Sequence, residues 1–445
     1  MQIYELPVEL FSHILSQFTV EEGWRTLPRL ALTCHALSKL VKPFLYKNLT
    51  IRIGTPASQT QWYRLLRTLQ EQPVSGTFVR SVSMGTIGVD DMLDLGLVNH
   101  LGREQHVFSL FSDIREMTAR SDTFALLPMV RASASTSRAS LTKLCLYADT
   151  TSNLQILDFM DFPKLQAIDT ISLRYFKFDA SEIYCTDTND VLRSLRLGAR
   201  AQMDSRALES IISRCAGLKI LEASIPLDDI KPFPFGPSWR YISYPMSPPK
   251  ISSILTPLSR TLTRLRLSGE RQIWYGHDGT KLDLSTFVLL EDLEIFSLCL
   301  LPPTGKDFAP HGMYKLLPQS LKKLHLHFTF NQSKVFWYPH DSSATPNGTG
   351  QSKDPLCWIT ELVENKPKCF PSLQTVILDN TGPITPMGPS CNSHPLYLHL
   401  RPGIELDWAW DDIHDMQRLY QLTSISLVFN VCKCKESTRG KTDCL

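Results

Sequence analysis

The chain has 445 residues, of which 43% are hydrophobic and 20% charged, with a formal net charge of +2. This composition excludes a disordered chain, and the near-zero charge gives no electrostatic case for a general nucleic-acid or anionic-membrane binder. The length suits two or three globular units or one long repeat array. The first predicted element is a helix in "LPVELFSHILSQF". Pro7 suits the first helical position, where a missing N–H costs nothing, and Glu9 sits well near the positive helix end. Leu10, Phe11, Ile14, Leu15 and Phe18 follow at helical spacing and cover an arc of roughly 140°. A helix with that much apolar surface either sits deep in its own domain or offers one side to another protein.

Leu27, Leu30, Ala31 and Cys34 continue the helical spacing, and Leu37, Leu40, Val41, Phe44 and Leu45 resume it beyond an expected break near Thr33–His35. Three short helices in so few residues bury little apolar surface by themselves, so they either cap the following domain or bind a partner. The residues "LPVELFSHILSQF" and "LPRLALTCHALSKLVKPFLYKNL" resemble the F-box. That family carries Leu-Pro, a Glu two residues later, an alternating apolar helix, a Leu-Ala-Leu-x-Cys core and a closing Leu-Tyr. The resemblance spans about residues 4–50. It departs from the pattern at Leu37, where many members carry Trp, at Thr33 in place of Val, and in a slightly long insert around Val20–Thr26. It implies docking on the Skp adaptor and, through it, on a cullin scaffold. The implied adaptor-facing residues are Leu6, Pro7, Leu10, Ile14 and Leu15, with Leu30, Cys34, Leu37 and Leu40 around them.

Beyond the first fifty residues one spacing recurs: an apolar residue, two others, an apolar, one other, an apolar. It begins at positions 141, 168, 192, 218, 262, 290, 321, 373 and 422, as in "LTKLCL", "IDTISL", "LRSLRL" and "LTSISL". The first four starts are 27, 24 and 26 residues apart, within the range of leucine-rich repeats. The last two apolar positions alternate with the strand period, so each segment predicts one strand facing a shared core. "SRALESIISRCAGLKILEAS" predicts a helix with Leu208, Ile211, Ile212 and Cys215 on one stripe, followed by a strand from Leu218. "WYRLLRTLQEQPVSGTFVRSVSM" predicts a helix closing near Pro73 and then a strand. These units resemble the repeats of leucine-rich F-box proteins, the latter those of filamentous fungi.

The expected fold is therefore an α/β repeat: a three-helix F-box over 1–48, then an irregular leucine-rich-repeat solenoid, or horseshoe, over 49–430, with a flexible tail at 431–445. Long loop insertions are expected near 231–260, 331–357 and 381–417. "KPFPFGPSWRYISYPMSPPK" has six prolines and five aromatics, which fits an extended loop. In each "LxxLxLx" the third, fifth and seventh residues should face away from the core. That assigns Arg174, Arg196, Arg264 and Arg266, then Asp292 and Glu294, then Lys323, His325 and His327, to a surface suited to an acidic or phosphorylated protein segment.

No residue constellation supports catalysis or a resident cofactor. "RGKT", "NGTGQS" and "GPSCN" are incomplete as phosphate loops or nucleophile turns. Cys432, Cys434 and Cys444 lack paired zinc-knuckle spacing. His325 and His327 face one side of a strand, which permits a metal pair, but the sequence identifies no third ligand, so no metal is expected. The 11 cysteines are scattered, and with no secretory leader or long apolar run the expected setting is a reducing cytoplasm or nucleus, away from membranes. The Asn-x-Ser/Thr sequences at Asn48, Asn331 and Asn347 are then chance matches. The expected role is a non-enzymatic substrate receptor of a Skp–cullin–F-box ubiquitin ligase, with a protein substrate on the repeats. A leucine-rich scaffold with a non-degradative role, bound to Skp or free, is the alternative.

Overall fold

The computed structural model describes residues 7–17, 20–53, 56–86, 110–121, 138–148, 162–171, 189–198, 205–232, 241–268, 279–301, 311–328, 357–379, 420–421, 423–430, 434–435 and 443–444. Residues 331–356 of the insert expected at 331–357, the whole insert expected at 381–417, and with them "NGTGQS" and "GPSCN", lie outside these residues, as does most of the C-terminal stretch. The chain forms two compact units, Met1–Phe176 with Val191–Gly198, and Lys177–Asp190 with Ala199–Leu445.

The first unit opens with α1 (Val8–Ser16), α2 (Val20–Thr33) and α3 (His35–Lys47). Pro7 stands one place before the first helical residue, in an extended conformation, and its carbonyl accepts the Phe11 N–H at 3.0 Å. The break between α2 and α3 falls on Cys34, whose extended backbone and Sγ, accepting the Leu37 N–H at 3.5 Å, cap α3. Phe11, Leu15, Leu27 and Val41 form a core against which Leu30, Ala31, Leu37, Leu40, Phe44 and Leu45 pack. No linker follows. β1 (Asn48–Ile53) starts where α3 stops, and the Lys47 carbonyl accepts the Arg80 N–H at 2.9 Å, so the helices are tied to the sheet.

After α4 (Pro56–Glu71) and a 3-10 turn (Pro73–Phe78) come β2 (Ser81–Thr86), β3 (Glu116–Ser121), β4 (Lys143–Ala148), β5 (Ala167–Ile171) and β6 (Ser194–Leu197). Each strand pairs in parallel with the next. The register aligns Leu49, Val82, Met117, Leu144, Ile168 and Leu195 in one buried column, and Ile51, Met84, Ala119, Leu146, Thr170 and Leu197 in a second. A repeated clasp starts each strand. The carbonyl of Arg80 accepts N–H groups from both Arg115 and Glu116, that of Arg115 from Thr142 and Lys143, and that of Thr142 from Gln166 and Ala167. Identical backbone bonding from repeat to repeat is what a solenoid requires, because each strand buries its apolar side only through its neighbours.

This register corrects one sequence reading. Ile168 aligns with Leu144 and Leu195, so the repeat starts at Leu165 and reads "LQAIDT", three residues earlier than expected. Thr170 occupies a leucine position; its hydroxyl donates to the Arg196 carbonyl at 3.2 Å and accepts the Gly198 N–H at 3.4 Å. Arg174 therefore is not the seventh residue of this repeat, and it lies outside the described residues. The repeat at Ile114, "IREMTA", was not foreseen, because Ala119 fills its last apolar position.

The second unit contains α5 (Ser205–Arg214), β7 (Ile220–Ser224), β8 (Leu227–Pro232), β9 (Tyr241–Pro245) and α6 (Pro248–Leu255). Then follow β10 (Arg264–Ser268), β11 (Asp292–Phe296), β12 (Lys323–His327), α7 (Cys357–Cys369), β13 (Thr375–Asp379) and β14 (Ser426–Asn430), with short strands β15 (Cys434–Lys435) and β16 (Asp443–Cys444). β7, β10, β11, β12, β13 and β14 form parallel ladders in that order. Leu221, Leu265, Leu293, Leu324, Val376 and Leu427 share one buried column. Burial alternates along β10, β12 and β13, so one side of the strands is covered and the other carries polar side chains. The helix predicted after Ser205 is present, with Leu208, Ile211, Ile212 and Cys215 all buried.

Two expectations need correction here. The proline-rich stretch at 231–250 is not wholly a loop: β8 and β9 pair as an antiparallel hairpin, and α6 begins at Pro248. Pro248 and Pro249 occupy the first helical turn, where the missing N–H groups have no intrahelical partner to lose. At the last repeat, Leu427 rather than Ile425 lies opposite Val376, so the strand is shifted by two residues from "LTSISL". Ser424, with φ of 57°, turns the chain into it.

Candidate functional site

Helix α1 presents two faces. Phe11 and Leu15, four apart, point into the helical core at 5% and 3% exposure, whereas Leu10 and Ile14 stand out at 52% and 44%. Pro7 is exposed on the same stripe, three residues before Leu10. Of the other implied adaptor-facing residues, Leu15 is a core residue, Leu30, Leu37 and Leu40 are half-buried against that core, and Cys34 is exposed. Leu6 lies outside the described residues. Leu32 was not singled out in the sequence, yet it is the most exposed large apolar side chain among the described residues, at 86%.

The polar side of the second unit's strands carries the other predicted residues. Register places Arg264 beside Asp292 and then Lys323, and Arg266 between Glu222 and Glu294. Charges of opposite sign therefore sit directly across the ladder, where they interact favourably. The Arg264 Nε lies 3.5 Å from Glu222 Oε1 and 3.4 Å from Asp292 Oδ2, and the Arg266 Nε lies 2.9 Å from Glu294 Oε1. The surface expected to suit an acidic segment thus carries alternating charge across Arg264, Arg266, Asp292 and Glu294. Arg264 and Arg266 already face carboxylates of the same chain. Arg196 belongs to the first unit.

His325 and His327 meet in a tight constellation. Their rings lie 4.2 Å apart between centroids. His327 Nε2 is 2.9 Å from Glu294 Oε1, and His325 Nδ1 is 3.8 Å from Glu294 Oε2. Asp379 Oδ2 lies 3.5 Å from the opposite nitrogen of each ring, His325 Nε2 and His327 Nδ1. All four side chains are at most 15% exposed. Burial pushes the Glu294 pKa upward, but the hydrogen bond with His327 and the electrostatic influence of Arg266, His327 and His325 outweigh it and hold the carboxyl below its usual range. Glu294, His325 and His327 each offer one ligand atom, and these lie within 4.8 Å of one another. Glu294, on a different strand, is the third donor beside the two histidines, a neighbour that the sequence did not identify.

Asp379 was also missed, although its signal is present: it is the seventh residue of "LQTVILD", the place that His327 holds in "LKKLHLH". The register His327–Asp379 brings them side by side. No protein-family model matches the chain, and no curated protein is significantly similar to it. Among the described residues no helix is long and apolar enough to cross a membrane.

Proposed function

We propose that the chain is a non-catalytic receptor that docks on the Skp adaptor through α1 and holds a protein substrate on its repeat strands for ubiquitin transfer. The observation that carries this reading is the outward stripe of Pro7, Leu10 and Ile14 on a helix whose other side is fully used in the core. Exposed aliphatic side chains at helical spacing, within residues that follow the F-box order, are a surface in need of a cover. The direct join of α3 to β1 supports it as well, since a receptor works by fixing geometry. Holding a substrate lysine near a conjugating enzyme raises its effective concentration without any chemistry by the receptor itself.

Co-expression with a Skp adaptor, comparing the parent with a Leu10→Ala/Ile14→Ala variant, tests the proposal. Leu10 and Ile14 are 52% and 44% exposed, so covering the rest of each contributes about 0.8–1.5 kcal/mol, and the double variant should bind roughly 10- to 100-fold more weakly. Failure of the folded parent to co-purify would reject the ligase reading and leave the helices as a cap on the repeats.

A further inference from the structure

We propose that Glu294, His325 and His327 form a binding site for a divalent transition-metal ion of the zinc type, with Asp379 orienting both imidazoles from behind. The inference stands on geometry and does not depend on adaptor binding. In the register of β11 and β12, Glu294 lies opposite His325, and Phe296 lies opposite His327. The two histidines are two residues apart on one strand, so both rings emerge on the same side, above the Glu294 carboxylate of the adjacent strand.

The donor atoms sort into two sets. Glu294 faces Nδ1 of His325 and Nε2 of His327, while Asp379 faces Nε2 of His325 and Nδ1 of His327. Each ring therefore points one nitrogen at each carboxylate. From these positions a metal-bound imidazole could hand its other N–H to Asp379, which would fix the tautomer and the ring plane. Metal bonds of about 2.0–2.2 Å in tetrahedral geometry place neighbouring ligand atoms about 3.3 Å apart. His327 Nε2 lies 2.9 Å from Glu294 Oε1 and His325 Nδ1 3.8 Å from Oε2. One donor atom from each of the three residues falls within 4.8 Å of the others, so small side-chain rotations bring them around one ion. His325 Nε2 is buried and makes no hydrogen bond, with Asp379 Oδ2 at 3.5 Å. The Arg266 Nε lies 2.9 Å from Glu294 Oε1 and so helps fix the orientation of that carboxylate.

Two imidazoles and a carboxylate favour zinc or a neighbouring first-row ion over calcium or magnesium, which prefer all-oxygen shells. Three protein ligands leave one position open, for water or for a donor atom of a bound partner. Because the site lies on the polar side of the strands, that fourth ligand would come from whatever occupies this surface.

The test uses the untagged full chain, stripped with a chelator and titrated with zinc(II) alone by calorimetry. The expected result is one zinc site that a His325→Gln/His327→Gln variant lacks. Asp379→Asn should weaken the site by about 10- to 100-fold while leaving the ligand set unchanged. X-ray absorption on the zinc-loaded parent decides the ligand identity even if a variant fails to fold. Two imidazoles with oxygen donors and no sulfur are expected. Sulfur in the first shell, the same zinc uptake by a folded double variant, or no zinc uptake by the parent would each overturn the proposal.

Discussion

Leu10 and Phe11 are adjacent in the sequence and opposite in role, and the difference is measurable. Phe11 and Leu15 fill the helical core, so Phe11→Ala or Leu15→Ala should cost about 2–5 kcal/mol, read as a lower denaturant midpoint for loss of the α1–α3 helices. Leu10→Ala and Ile14→Ala, at exposed positions, should change the stability by less than about 0.5 kcal/mol and leave that midpoint nearly unmoved. Cysteine chemistry gives a second residue-scale prediction. Burial pushes the thiols of Cys215 and Cys299 up to about 12, so near pH 8 only roughly one in ten thousand would be thiolate. Native alkylation followed by peptide mass spectrometry should label the exposed Cys34 and spare Cys215 and Cys299, which react only after unfolding. The sequence marked the helical stripe but could not sort its two faces, since an arc of that width contains both. It found the two histidines because they share a strand; it could not find Glu294 as their partner, because that pairing depends on register between strands.

Among the elements, the strands were legible where three leucines stood at the repeat positions and obscure where a smaller or polar residue took one. Ala119 hid β3, and Thr170 displaced the apparent start of β5, because "IDTISL" satisfies the same spacing as the true "LQAIDT". Thr170 fits a buried column only because its hydroxyl is engaged by the next repeat, a long-range fact that spacing does not carry. The 3-10 turn before β2 depends on a close approach of backbones. A Cβ on Gly76 would meet the Leu110 carbonyl oxygen at 2.5 Å, and a carbonyl in a packed turn has little freedom to retreat. Gly76→Ala should therefore destabilise the first unit by about 1–3 kcal/mol. Hydrogen exchange would show this as faster opening of β2 and β3, with protection in β10 to β13 unchanged.

For the whole molecule, the parallel repeat class was readable from period alone, since leucine spacing repeats with the geometry of stacked strands. The grouping of the three helices with β1 to β6 in one compact unit was not readable, because it rests on backbone bonds such as Lys47 to Arg80. That grouping matters to the proposed role: an adaptor gripping α1 grips the first repeats too. Hydrogen exchange of the full chain with and without a Skp adaptor tests this central claim most directly. Strong new protection across Val8–Ser16, with the polar strand side at Arg264–Phe296 unchanged, is the predicted outcome. No complex, or protection confined to the strands, would contradict it.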